Sequence, residues 1–251
     1  SVIESLVVLS RGRSFRTHQA GELVGPSSNS FRVYAAGVSE SGRKLRLGLE
    51  RSGKHWHGRI DGQELGRLSH LTRALPLVLM EPDSHLLVSG PPESRRKYLD
   101  WGMFHVEHEY LPVWKAFSRA LKQRNAALRL GQEGVLDSLD EVLSFHGNEL
   151  AKKRRGFAER VANSIDSVVE QLNPEIGVIG FDYQEGWHEE SYLIALREHR
   201  KRDLERRMTS VGPHRADIVF KAKKRLAKAV LSRGEQKMFS AALLLTQSAI
   251  M

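Results

Sequence analysis

Ser232, Gly234 and Glu235 are the residues whose types and spacing point most directly at chemistry. They lie in Val230-Leu231-Ser232-Arg233-Gly234-Glu235-Gln236-Lys237, just before an apolar run over 238–250. Ser232 and Glu235 form an S-x-x-E capping box, the mark of a helix start. Met238, Ala241, Ala242 and Leu245 follow at helical spacing. The first turn of a helix leaves backbone N–H groups without partners and carries the positive end of the helix dipole. A serine hydroxyl and a glycine amide placed there suit an anion such as a phosphate group. The plain alternative is an ordinary capped core helix, since short motifs match by chance.

Further stretches occur in order along the chain. They are Arg11-Gly12-Arg13-Ser14-Phe15-Arg16, then Glu81-Pro82-Asp83 with Gly90 and Arg95-Arg96-Lys97-Tyr98-Leu99-Asp100-Trp101-Gly102, then Lys122-Gln123-Arg124-Asn125-Ala126-Ala127-Leu128, and Val211-Gly212-Pro213-His214-Arg215-Ala216-Asp217. Leu231 to Lys237 resembles the LSGGQ-type signature of ABC-class ATPases, and the five motifs together resemble the RecF family within the RecF/SMC branch. The resemblance implies a mixed α/β fold: part of an ABC-type P-loop ATPase head with a mainly helical lobe II insertion. It implies ATP and Mg²⁺ as cofactors and an ATP-dependent homodimer in which two heads sandwich the nucleotide. Ser232, Arg233, Gly234, Gln236 and Lys237 would then serve a nucleotide held by the partner head. It also implies binding to single-stranded DNA and single-strand/double-strand junctions, action with RecO and RecR, help in loading RecA at gaps, a place in the SOS response, and a cytoplasmic, nucleoid-associated location.

No G-x-x-x-x-G-K-[ST] loop occurs among the 251 residues. The resemblance places that loop upstream of Ser1 and the acidic, Mg²⁺-holding strand beyond Met251. The chain also begins without Met. The expectation is a fragment that supplies one side of an ATP site, contains no catalytic residue of its own, and does not hydrolyse ATP alone.

Composition sets the outer bounds. A length of 251 residues allows one large or two small domains with a real core, and a hydrophobic fraction of 40% is ordinary for globular chains. The formal charge of +9 and a sequence pI near 9.9 favour a polyanionic partner, nucleic acid first and an acidic membrane surface second. The absence of cysteine excludes disulfides and thiolate metal sites and fits a reducing compartment. No apolar run reaches the roughly 18 residues of a membrane span, and no basic-then-apolar leader opens the sequence.

The elements that must position these motifs can be read from periodicity. Residues 2–9 read as a short helix and 25–30 as a loop. Residues 31–38, 44–51 and 55–60 read as antiparallel strands, with Leu45, Leu47 and Leu49 alternating against charged or small neighbours. Ser52-Gly53 and Asp61-Gly62 supply hairpin turns. Residues 75–80 read as a short buried strand. Helices are expected at 93–102, 111–130, 135–172 (with a break near Gly147 or Gly156) and 189–207, and strands at 178–183 and 217–221. The resulting division is 1–90 as the N-terminal part of lobe I, 91–207 as lobe II, and 208–251 as the return to lobe I with the signature helix.

Other groups carry weaker signals. Arg11, Arg13 and Arg16 beside Phe15 could grip phosphate oxygens while the ring stacks on a base. Lys152, Lys153, Arg154 and Arg155, the helix around 197–207 and residues 221–228 form three basic clusters suited to a phosphate backbone, although a charge run is usually a solvated face. Of Arg95, Arg96 and Lys97, at least one is expected to pair, with Asp100 as a candidate partner. His55 with His57, and His105 with Glu107 and His108, supply no complete zinc set, so no metal site is assigned. Residues 211–217 read as a rigid entry into a strand, Pro213 fixing φ and Gly212 permitting a turn, with His214 or Arg215 near a nucleotide interface. Two rival readings remain. One is a non-catalytic basic module that binds DNA or protein. The other is the head of a different SMC-like ATPase, which long heptads would favour and which this sequence lacks.

Overall fold

Ser1 caps the first helix, α1 (Val2–Arg11), by accepting a hydrogen bond from the Glu4 amide, and Gly12 ends it in the left-handed conformation at φ 66°. Val7, Val8 and Leu9 form its buried face. The structure, a computed structural model, describes residues 1–17, 19–25, 27–38 and 42–251. The loop expected over 25–30 includes Pro26, which lies outside the described residues.

The chain divides after Leu79 into two units, Ser1–Leu79 and Met80–Met251. In the first, β1 (Ser30–Val38), β2 (Lys44–Ser52), β3 (His55–Ile60) and β4 (Gln63–Glu64) form an antiparallel sheet in that order. Leu47 and Leu49 point to the face that α1 and α2 (Ser69–Ala74) help to cover, and Leu71 completes the buried group. The loop between β2 and β3 is Gly53-Lys54, and that between β3 and β4 is Asp61-Gly62, with φ 52° and 88°.

Residues 75–80 form no strand. The Ser10 hydroxyl donates to the Leu75 carbonyl at 2.7 Å and the Arg11 guanidinium to the Leu77 carbonyl at 3.2 Å. Side chains of α1 thus satisfy backbone groups that a sheet would otherwise have paired.

The second unit contains α3 (Leu86–Ser89), α4 (Pro92–Val106), α5 (Tyr110–Leu130), α6 (Leu136–Leu172), β5 (Ile179–Gln184), α7 (Tyr192–Glu198), α8 (Arg200–Arg206), β6 (Asp217–Ala222), β7 (Arg225–Leu226), α9 (Ala227–Val230) and α10 (Arg233–Ile250). Helix α6 is unbroken over 37 residues, about 55 Å at 1.5 Å per residue. Its buried positions recur every three or four residues and include Leu143, Leu150, Phe157, Val161 and Ile165. Gly147 does not break the helix. It makes room for a ring, because a Cβ there would sit 2.4 Å from Tyr192. The helix expected over 189–207 is two, α7 and α8, separated by a turn at His199 whose imidazole meets Glu189 at 2.9 Å.

The three strands pair antiparallel in the order β5-β6-β7. Phe220 of β6, Phe239 of α10 and the α6 seam share one core with Tyr98, Leu99 and Met103 of α4. Residues 208–251 therefore pack with the helices in one unit, and the expected boundary at 90 falls inside that unit. Among the described residues, no helix is long and apolar enough to cross a membrane.

Candidate functional site

The start of α10 has the expected capping box in full. The Glu235 amide donates to the Ser232 hydroxyl at 3.3 Å, and the Ser232 amide donates to the Glu235 carboxylate at 2.6 Å. The hydrogen bonds from the Ser232 hydroxyl and backbone hold the Glu235 carboxyl below its ordinary pKa, and Lys223 adds to the effect. Of the four N–H groups that a helix start leaves over, the box satisfies those of Ser232 and Glu235. Those of Arg233 and Gly234 have no acceptor within the helix, and both residues are exposed.

Gly234 has no structural reason to be glycine. Its φ is not positive, and a Cβ would meet nothing nearer than the Ser232 hydroxyl at 3.9 Å. Glycine in a helix costs about 1 kcal/mol relative to alanine. Two outward N–H groups and a bare glycine fit an anion that approaches the backbone closely, with the Ser232 hydroxyl beside them. Lys237, one turn on, is also exposed. Gln236 differs from its neighbours: it is buried, and its amide nitrogen donates to the carbonyls of Leu231 at 2.9 Å and Lys228 at 3.4 Å, so it braces the turn before the helix.

The other candidates separate by exposure. Arg13 and Arg16 are exposed beside Phe15, and Arg16 lies 3.8 Å from Glu4. Arg11 is half-buried and spends one donor on the Leu77 carbonyl. Lys152 is exposed, Lys153 lies 3.7 Å from Glu107, and Arg155 is paired with Glu185. Arg154 is a correction to the sequence reading, because it is 3% exposed and cannot reach DNA. It holds Asp100 through two bonds of 2.7 and 2.9 Å and donates to the Pro213 carbonyl at 2.7 Å. Burial opposes its charge, but Asp100 outweighs this and keeps the guanidinium firmly protonated.

The buried arginines converge on one loop, residues 209–217. Arg95 takes Asp217 bidentately at 2.6 and 3.0 Å, correcting the expected pairing with Asp100. Arg96 donates to the Ala216 carbonyl at 2.8 Å and the Tyr192 hydroxyl to that of Val211 at 3.2 Å. The Gly212 amide donates to Gly186 at 2.9 Å, and the Ser210 amide to Asp203 at 2.9 Å. Thr209 binds Asn125 and receives a bond from Arg124.

Arg124 itself is fully buried. It contacts Asp140 and Asp203 at 2.6 Å each, and Arg200 joins Asp140 at 2.7 Å. Gly212 has φ 122°, and a Cβ there would lie 2.1 Å from the Tyr192 hydroxyl. The aspartates of this network were missed in the sequence. Asp203 sits in a run of charges on α8 that looks solvated throughout.

His214 donates from Nε2 to the Thr209 carbonyl at 3.0 Å, while Nδ1 is buried and has no hydrogen-bond partner among the described residues. Burial, helped by the charges of Arg215 and Arg96, lowers its pKa to about 4. Arg215 faces solvent. Among the described residues no group of side chains is arranged to hold a metal ion. Glu107 lies near Lys153 and Arg160.

No protein-family model matches the sequence. Individual proteins do. The chain is 39% identical over 255 residues to the DNA replication and repair protein RecF of Xanthomonas axonopodis pv. citri, covering 99% of this chain and 69% of that protein. It is 38% identical over 255 residues to the protein of the same name from Stenotrophomonas maltophilia, covering 99% and 70%. A solved structure described as the recombination mediator protein RecF-ATP in the RecFOR pathway superposes with a TM-score of 0.88 at 23% identity, over 99% of this chain and 70% of that one.

Proposed function

The chain belongs to the RecF family, and on that premise we propose that it acts as a RecF-type DNA-binding protein of replication and repair. The start of α10 is then the half of an ATP site that serves a nucleotide held by another copy. The observation that carries this reading is the pair of outward N–H groups at Arg233 and Gly234 beside the Ser232 hydroxyl, with a glycine the fold does not need. Ser232, Arg233 and Gly234 would hold the terminal phosphate, and Lys237 would add positive charge. ATP with Mg²⁺, when bound, supplies the negative charge that both copies share. Gln236 supports the turn. The proposed partners are single-stranded or gapped DNA, RecO and RecR, with RecA loaded downstream, and the proposed location is the cytoplasm around the nucleoid.

A mixed assembly tests the site. With the nucleotide-loaded Xanthomonas relative as partner, this chain should associate in an ATP-dependent way, and Ser232→Arg should weaken that association at least ~10-fold by filling the space a phosphate enters. Ser232→Ala separates the alternative: a lost cap costs about 1 kcal/mol of stability, whereas lost assembly does not follow from capping. Sedimentation and thermal melting on the same variants read both. Unchanged association of a folded Ser232→Arg protein would leave this stretch a helix cap alone.

The 251 residues should release no phosphate from ATP above background, with or without DNA. No lysine of a G-K-[ST] loop is present to stabilise the transferring phosphoryl group. Turnover that persists through stringent purification overturns this expectation.

A further inference from the structure

Strands β6 and β7 are joined by two residues, Lys223 and Lys224, with Ala222 paired to Arg225. Both lysines have positive φ, 51° and 64°. A two-residue loop of this kind asks for Asn-Gly or Asp-Gly, because a Cβ is crowded in the left-handed region. The chain meets that demand at Asp61-Gly62, another loop with two positive φ angles. At 223–224 it keeps two long cations in the conformation that suits them least.

No ion pair among the described residues offsets that cost. Lys223, Lys224, Arg225 and Lys228 are exposed, as are Arg233 and Lys237. None of the six has a carboxylate within ion-pair distance among the described residues. The cluster at 152–155 is largely matched internally, Lys153 by Glu107, Arg154 by Asp100 and Arg155 by Glu185. Around 197–207 only Arg197 and Arg200 are ion-paired among the described residues, with Glu141 and Asp137, but Glu198, Asp203 and Glu205 interrupt that run. Residues 221–237 hold seven Lys and Arg against one Glu, a net +6 within a chain of +9. The hairpin tip and the start of α10 are neighbours, since Lys223 helps hold the Glu235 carboxyl down.

We propose that the Lys223-Lys224 hairpin tip, with Arg225 and Lys228 beside it, is a contact surface for the phosphate backbone of DNA. Lysines on a turn and a short helix offer point charges without the fork geometry that reads bases, so the contact is independent of sequence. The charge present exceeds what a single phosphate group needs and suits a polyanion with a repeating charge. Protection of an exposed sheet edge is the plain alternative for Arg225. It does not reach the tip lysines, which lie outside the ladder. The proposal rests on DNA binding by the chain as a whole.

The test is the double variant Lys223→Asn with Lys224→Gly, which removes both charges and supplies the residues the turn prefers. Fluorescence anisotropy with a labelled gapped duplex is followed across a salt series for wild type, this variant, Lys228→Ala, and the control pair Lys152→Ala with Arg155→Ala. The thermal midpoint of the Asn-Gly protein should stay level or rise. Its affinity at low salt should fall about tenfold, and the slope of log affinity against log salt should shrink by about two. Lys228→Ala should lower the slope by about one. Unchanged affinity and slope in the Asn-Gly variant, with wild type still binding, overturn the hairpin assignment and leave DNA binding standing. Wild type that binds phosphatidylserine vesicles but no DNA overturns both.

Discussion

Replacing Arg124 by Met should destabilise the unit Met80–Met251 by about 3–5 kcal/mol, the cost of breaking a buried ion pair from one side. Arg124 has no exposed surface, and neither do the side chains of its partners Asp140 and Asp203. Removal of the guanidinium leaves two carboxylates in the interior. Arg200 still reaches Asp140, and the Ser210 amide still reaches Asp203, so neither carboxylate is abandoned completely. Thr209 and the Leu196 carbonyl lose donors at the same time. Arg124→Lys should recover little, because one ammonium cannot reproduce a planar fork that reaches four acceptors. Urea unfolding at neutral pH reads the difference. A loss below about 1 kcal/mol would show that water enters and solvates the carboxylates, and the network would not be the anchor described above.

Acid should weaken the same unit through His214, by up to about 3 kcal/mol for a pKa of about 4 against an ordinary 6.5. The Thr209 carbonyl can only accept, so Nε2 carries the hydrogen and Nδ1 is the nitrogen that a second proton must find. That atom is buried without a partner, and Arg96 and Arg215 make added charge less welcome. The folded state therefore prefers neutral imidazole. Between pH 6.5 and 4 the unfolded chain binds the proton and the folded one does not. The stabilisation is complete above pH 6.5 and is lost as pH falls towards 4. Carboxylates also titrate in acid, so the informative quantity is the difference between wild type and His214→Gln. That difference should shrink steadily from pH 7 to 4.5. Parallel stability curves for the two proteins over this range would contradict the assignment.

Much of the fold was legible because its signals are local. The alternation at Leu45, Leu47 and Leu49, the S-x-x-E box at Ser232, and the stop at Asn173-Pro174 each depend on neighbours within a few residues. What could not be read depends on distant partners. Arg154 and Lys152 look alike in a basic run, yet one is buried against Asp100 of α4 and the other is exposed. The apolar run at residues 75–80 suits a buried strand, but the ladder partners are absent and side chains from α1 take two of the carbonyls. Gly147 reads as a helix breaker until Tyr192, 45 positions away, is seen to need the space. In the candidate site the phosphate role of Ser232, Arg233, Gly234 and Lys237 came from the family resemblance, and only the capping box of Ser232 and Glu235 was found from type and spacing. The role of Gln236 was not, because helical phase alone does not say which wall of the first turn meets solvent.

Residues 209–217 have the makings of a floppy connection, with a glycine, a proline and few apolar side chains. Their backbone is nonetheless held by groups from α4, α5, α6, α7 and α8, several of them charged and buried. Such a loop has no small opening of its own, because freeing it means withdrawing arginines that also hold the helices to one another. In hydrogen-exchange terms its bonded amides should belong with the slowest class, released only when the whole unit opens. Ordinarily a surface loop is the first part of a domain to breathe; here the loop and the helix bundle should come apart in a single step.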